Sequence, residues 1–390
     1  DVLSAERVRE ANFRTTPDIF REVPGALVQK TAHGQGSPYL RGFTGYRNLF
    51  MIDGIRLNNA IFRDGPNQYW ATVDPGSISR LEVIRGPQSA LYGSDAVGGV
   101  VNVISRDPRA YRDDNSPAVG LSYRYASGEN SHILRAKTDL AIGDSGGLYL
   151  DLGGKQFGDI DSGDGRLPNT GYDEYTLNSK FLFELSDGLV LTAAHSRVHQ
   201  DSVPRTHTTV ASRSFAGTSV GSELSRNLDQ DRVLSYLRLQ QEQWGSFRDS
   251  ALTLYHHRQE EARNRLRSGD RSDQQGVEVN TYGVDAFASV PTASWGIWTM
   301  GFDWAHDSVD SFSSTNSVQG PVADDSTYDW LGVYVQNRFE LRSDLELTAG
   351  IRLGYFDVDA GSIRAGLRWL TRSLSTGASR RHSGLRICRT

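Results

Sequence analysis

The groups of this chain that could do metal or acid–base chemistry are nine histidines, 47 acidic residues and a single cysteine, and their spacing argues against most of it. His195 and His199 are four apart in an alternating stretch and would face the same way, with His207 in the loop that follows. Two imidazoles on one strand face could touch a metal, but no third ligand stands at an ordered spacing, and solvated strand residues are the plainer reading. His256 and His257 are neighbours in an extended stretch and point to opposite faces. Asp324 and Asp325 are paired carboxylates in a loop, where solvation is the usual role. Cys388 stands alone, which excludes an intramolecular disulfide or a Cys-rich metal site. The chain has no G-x-S-x-G, no H-E-x-x-H and no phosphate loop with G-K-[ST], and Gly34-Gln35-Gly36 is a bare G-x-G. Catalysis finds no support.

What the charges can do is pair, and Glu82, Arg85 and Asp95 lie in a stretch built to position them. Leu81 to Ser105 reads as a strand, a Gly86-Pro87 turn, one helical turn through Gln88 to Tyr92, and a second strand over Val100 to Ile104. Gly93 and Gly98-Gly99 mark points where the backbone turns or is closely approached. Upstream, Ala5 to Phe20 is weakly helical, and Pro17-Asp18 opens a short helical turn that ends at Pro24-Gly25. Leu49 to Ile52 is an apolar run stopped by Asp53-Gly54, a hairpin turn signal. Net charge is -5, with 42 basic residues, which leaves no polybasic footprint for nucleic acid.

These segments carry a resemblance. Arg85-Gly86-Pro87, Leu91-Tyr92-Gly93 and Gly98 to Ile104 are similar to the closing motif of the plug domain of TonB-dependent outer-membrane receptors. Pro17 to Gly25, Tyr39-Leu40-Arg41-Gly42-Phe43 and Met51 to Asn59 match the same plug in the same order, so the resemblance is specific over residues 1–108. It implies that Arg41, Glu82 and Arg85 set plug charges against charged groups of a surrounding barrel, the alternative being salt bridges internal to a small α+β domain. It implies too that the loop Asn58 to Trp70 is the outward apex of the plug, with Asn58, Asn59, Phe62, Arg63, Asn67, Tyr69 and Trp70 facing the ligand. Related haem receptors often present a histidine there. This loop has none, which leaves Tyr69 as the one strong iron ligand and Phe62, Tyr69 and Trp70 as rings that could stack on haem or a catecholate. The bland alternative is that the rings pack the loop onto the plug. Asp201 to Arg205, in a later loop, also resembles the haem receptors.

Beyond Ala118 the texture changes to long strands of period two. Leu345, Leu347, Ala349, Ile351, Leu353 and Tyr355 face one way, and Trp298, Met300, Phe302 and Trp304 form another apolar face. About eleven such strands can be read between residues 118 and 357, joined alternately by short turns and long polar loops, as in a membrane barrel. The long connections are read at Asp159 to Gly171, Gln200 to Leu228, Arg258 to Gln274 and Asp310 to Ser326. No run of about 18 apolar residues is present, so no helix is expected to cross a membrane.

The expected fold is mainly β, a small α+β plug followed by antiparallel transmembrane strands of an incomplete barrel, because a lumen that holds a plug belongs to barrels of about 22 strands. The expected divisions are a plug at 1–110, a linker at 111–117, barrel strands at 118–361, and at 362–390 an Arg-rich tail that looks like a truncation or shifted frame. The resemblance further implies a Gram-negative outer-membrane location, outer-membrane lipid around the wall and uptake of an iron siderophore or haem as cargo. It implies as partner the energy-transducing protein TonB, through a coupling box not seen before the plug; no cofactor is expected. Two rivals are a fragment that does not transport alone and a soluble β-sandwich binding or adhesion protein, in which the apolar strand faces would be buried against one another.

Overall fold

The computed structural model describes residues 1–109, 117–163, 165–214, 219–315 and 323–360, with backbone alone at Thr31 and over Thr371–Arg380. The plug is a five-stranded sheet in the order β1-β6-β7-β4-β5, made of β1 (Val2–Ser4), β4 (Asn48–Ile52), β5 (Ile55–Arg56), β6 (Ile78–Arg85) and β7 (Gly99–Ser105). A separate hairpin, β2 (Ala26–Ala32) and β3 (Gln35–Leu40), lies beside it, with helices α1 (Ala5–Glu10) and α2 (Ser89–Tyr92). The β4–β5 connection is the two-residue turn expected at Asp53-Gly54, both at positive φ, 50° and 80°, which matches the twist of a tight hairpin. β6 and β7 pair antiparallel with Val83 opposite Val101, and α2 fills the connection where one helical turn was read. The helical reading of Ala5 to Phe20 is shorter in fact: α1 stops at Glu10, and a 3-10 turn takes Thr16–Glu22, with Pro17 near its start.

The wall is one antiparallel sheet of twelve strands. It runs through β8 (Ala118–Ala126), β9 (Ser131–Ile142), β10 (Gly146–Phe157), β13 (Tyr172–Ser186), β14 (Leu189–Pro204), β15 (Glu223–Trp244) and β16 (Phe247–Arg267). It continues through β17 (Arg271–Thr292), β18 (Gly296–Ser313), β19 (Ser326–Arg342), β20 (Leu345–Asp359) and β21 (Thr371–Arg380). A small hairpin, β11 (Asp161–Ser162) and β12 (Gly165–Arg166), stands in the loop between β10 and β13. Among the described residues the sheet ends at β8 and β21 and does not close around the plug. Tight turns such as Ser186 to Leu189 lie on one rim and the long loops on the other.

Side-chain alternation sorts the two faces. On β18, Trp298, Met300, Phe302 and Trp304 point outward and stay 36–40% exposed, while Ala305, Asp307 and Val309 turn inward and are buried. Leu331 and Val333 of β19 and Ile351, Leu353 and Tyr355 of β20 extend the apolar band, which no second sheet covers among the described residues. That rules out the sandwich, whose apolar faces would be packed together. The inward face instead packs on the plug in one core: Phe20, Phe50, Trp70, Leu81 and Val101 of the plug join Leu234, Tyr236, Val277, Val279 and Val309 of the wall.

Two expectations need correction. The long loop read at Arg258 to Gln274 is mostly strand, with β16 and β17 meeting at a turn of residues 268–270. Both faces are polar there: Arg258 pairs outward with Glu260 and Glu278, while Arg263 pairs inward with Asp273. Without an apolar phase the period of two was invisible. The tail read as lying outside the wall contributes β21, which pairs with β20 from Gly354↔Thr371 to Leu345↔Arg380. A ladder needs only backbone N–H and C=O groups, so loss of alternation did not forbid it. The rest of that tail, 362–370 and 381–390, residue 361 before it, and all but Pro117 of the expected linker lie outside the described residues.

Candidate functional site between the plug and the wall

The plug is tied to the wall by buried charge at three main places. The first is the hairpin turn at Asp53. Its carboxylate accepts from Ser105 N (2.8 Å) and Oγ (2.6 Å) and from the Tyr236 hydroxyl (3.0 Å), and Lys180 Nζ lies 3.3 Å away. Its carbonyl accepts from Arg238 (2.6 Å). Burial pushes this carboxyl up, but Lys180 and the Ser105 hydrogen bonds outweigh burial and hold it below the usual carboxylate range.

The second is Asp74, which caps the 3-10 turn Pro75–Ser77 through Gly76 N and is wholly buried. Arg135 of β9 donates to both its oxygens at 2.7 Å, and Lys155 of β10 to one at 2.9 Å. The same cations hold wall acids: Arg135 binds Asp151 at 2.7 Å and Lys155 binds Glu174 at 2.5 Å. Burial pushes the Asp74 carboxyl up, and the two cations reverse that and hold it far below the usual range. Gly76 lets the Arg135 guanidinium come this close, since a Cβ there would push it aside. Just before it, the carbonyls of Ala71 and Thr72, at the end of the turn Tyr69–Thr72, accept from Gln200 (3.2 Å) and Arg232 (2.9 Å) of the wall.

The third is Glu261 on β16, which takes Arg63 at 2.6 Å and Gln68 at 2.5 Å. Near the plug's outer side Ala60 N donates to Asp307 at 2.6 Å, and Arg14 meets the buried Glu129 at 2.7 Å. Removing one member of a buried pair strands the other and costs about 3–5 kcal/mol, so these ties are firm, yet each is undone once water or another ion reaches it.

The residues expected at the site are distributed differently. Arg41 is exposed at φ 52°, Glu82 accepts from Arg80 and Asn102, and Arg85 binds Pro24 O and Asp1; these contacts lie within the plug. In the apex loop, Phe62, Asn67, Tyr69 and Trp70 are buried. Trp70 packs on Phe50 (4.9 Å) and Phe20 (6.0 Å), and Phe62 on Tyr69 (5.0 Å), so the ring faces are occupied by the core. Burial pushes the Tyr69 phenol up, with Glu261 adding to it, which disfavours the phenolate that iron would need. Arg63 faces the wall, and only Asn58 and Asn59 of the seven border an outer cavity. The histidines do not converge: His195 bonds Ser235, His199 bonds Asp231, His207 bonds Arg205 and His256 stacks on Tyr282. Sequence reasoning missed Asp53, Asp74 and their wall partners. The available signal was charge on the polar phase of alternating strands, as at Asp151 and Lys155.

The plug matches the description "TonB-dependent Receptor Plug Domain" over residues 1–100. Two solved structures share the fold along nearly the whole chain. The copper transporter OprC has a TM-score of 0.75 at 15% identity, covering 97% of this chain and 60% of that one. The hemophore receptor HasR of Serratia marcescens has a TM-score of 0.76 at 16% identity, covering 97% and 58%. Residues 1–100 are the plug domain of TonB-dependent receptors, and the chain as a whole has the fold of these outer-membrane structures. Among curated relatives, this chain is 39% identical over 107 residues to the vitamin B12 transporter BtuB of Vibrio vulnificus, 27% of this chain and 17% of that protein. It is 39% identical over 110 residues to the iron-regulated outer membrane virulence protein of Vibrio cholerae, again 27% and 17%. The chain spans about three fifths of the solved relatives and matches under a fifth of the curated ones. The names of these relatives describe transporters, a receptor and an outer-membrane protein.

Proposed function

We propose that the receptor takes up a scarce metal chelate, an iron siderophore or haem, across the outer membrane with energy delivered by TonB from the periplasmic side. The observation that carries this is the plug seated on the inner face of a lipid-facing wall and tied there through Asp53, Asp74 and Arg63. A cargo cannot pass such a seat without moving it, and ties of this strength do not release at useful rates unaided. A ligand shifts the plug only by as much as it prefers one plug state over the other, so external work is the natural complement. The relatives' names mention vitamin B12, copper and haem, which makes a metal-bearing cargo their common ground. The expected experiment is accumulation of radiolabelled ferric chelates and haem in cells expressing the receptor gene. Uptake that stops when TonB is deleted or a protonophore is added supports the reading. Uptake indifferent to both would sink it.

A further inference from the structure

Two cavities lie between the plug and strands β15 to β20, one behind the other. The outer, about 350 Å3, is bordered by Asn58, Asn59, Ser326, Tyr328 and Phe356 toward the long-loop rim. The inner, about 150 Å3, lies toward the short-turn rim between Asp1, Val2 and Asp53 of the plug and Arg238, Ala251 and Phe287 of the wall. Arg56 and Trp330 border both, so they form the partition. The Arg56 guanidinium sits over the Trp330 ring at 5.8 Å and donates to Asp95 (2.6 Å) and to the Tyr92 carbonyl (2.7 Å). Arg352 reaches the same neck from β20. One of its nitrogens holds Asp303 at 2.6 and 2.7 Å, while Nη1, enclosed on a side chain only 8% exposed, has no hydrogen-bond partner among the described residues. Gly93 lies between the two cations at φ 91°. A Cβ there would come within 2.9 Å of Arg56 Nη2 and 3.5 Å of Arg352 Nη2.

Two guanidiniums at one constriction, each tied to a carboxylate and one of them with an idle donor, form a receptor for a further anion. Planar forks of this kind bind carboxylate-like oxygens at two points. We propose that this neck binds an anionic oxygen group of the cargo, of carboxylate or catecholate type, which enters from the outer cavity, docks on Arg352 and takes Arg56 from Asp95. Loss of the Asp95 bond leaves Arg56 held by the Tyr92 carbonyl alone, so that it can swing off Trp330 and the two cavities join. Recognition of the anion and opening of the path are then one event. This rests on the uptake reading and narrows its cargo to anionic chelates.

The test uses the full chain in cells, with Cys388→Ser as background and single reporters Thr327→Cys in the outer cavity and Ala251→Cys in the inner. Anionic and cationic methanethiosulfonate reagents are applied from outside. The outer reporter should react at least about tenfold faster than the inner, and Arg56→Ala should raise the inner rate about tenfold while leaving the outer rate alone, as expected for a local closure being removed. Citrate, as the probe anion, should slow the anionic reagent at Thr327→Cys, and Arg352→Gln should abolish that protection. If Arg56→Ala does not assemble, Asp95→Ala removes the same bond from the other side and is read in the same way. An inner rate that Arg56→Ala and Asp95→Ala leave unchanged overturns the partition. Citrate protection that survives Arg352→Gln, or never occurs, overturns the anion site. Either failure leaves TonB-dependent uptake measurable, and loss of that uptake with labelling as expected would refute the transport reading alone.

Discussion

Asp74 shows how one carboxylate can anchor a domain. Its two cations are on different strands and each is shared with a wall acid, so Asp74→Asn leaves two buried cations short of countercharge. The expected loss is about 3–5 kcal/mol of plug attachment, read as a lower urea concentration for plug release in membranes. Gly76→Ala should weaken the same tie by pushing Arg135 aside without touching a charge. The pH dependence has a definite sign. The folded carboxyl titrates lower than the unfolded one, so its contribution is full above about pH 4 and is lost as pH falls below that toward the folded value. Hydrogen exchange of plug amides should therefore accelerate on acidification below pH 4 in the native receptor and much less in Asp74→Asn. None of this was legible at Asp74, because an aspartate before Pro75-Gly76 reads as turn chemistry. Its partners are about sixty or more residues away in sequence, and only the fold brings them together. The apex rings went the other way. Phe62, Tyr69 and Trp70 looked like ligand platforms and are core, since buried area outweighs display when a loop must be fixed to a small domain.

Single strands carry the membrane argument. The outward face of β18 sits in the middle of the apolar band, and Phe302→Arg should cost about 2–4 kcal/mol of folding into bilayers, a midplane penalty that a water-soluble sheet would not incur. Trp298 and Trp304 should be quenched by brominated acyl chains, while Trp70, inside the plug, should not. The strands were legible where one phase was apolar, as at β18 to β20, and their ends were lost where both phases turned polar. β15 begins at Glu223, not near 229, and β16 runs to Arg267, not 258, because charge pairs replace apolar contacts on both faces of their upper ends. The tight turn at Asp53-Gly54 and the unit from β6 through α2 to β7 were legible because glycine and proline punctuation is local information.

In the whole molecule the plug and the wall share one apolar cluster, so they are not two separately stable bodies. Calorimetry of the receptor in detergent should show the plug melting with the wall in one transition. Val279→Ala, a wall substitution at the contact, should loosen plug amides as well as wall amides. An independent low-temperature plug transition would contradict the shared core. The same interlocking decides how the molecule answers to force. β1 is a three-residue strand at the edge of the plug sheet, bonded to β6, and Asp1 and Val2 form part of the floor of the inner cavity. Tension applied to the chain ahead of Val2 loads that short ladder from its end, one rung after another, whereas Asp53, Asp74 and Arg63 are distributed along the flank and share their load. A modest tug would strip the floor like a seam and leave the rest of the plug in its seat.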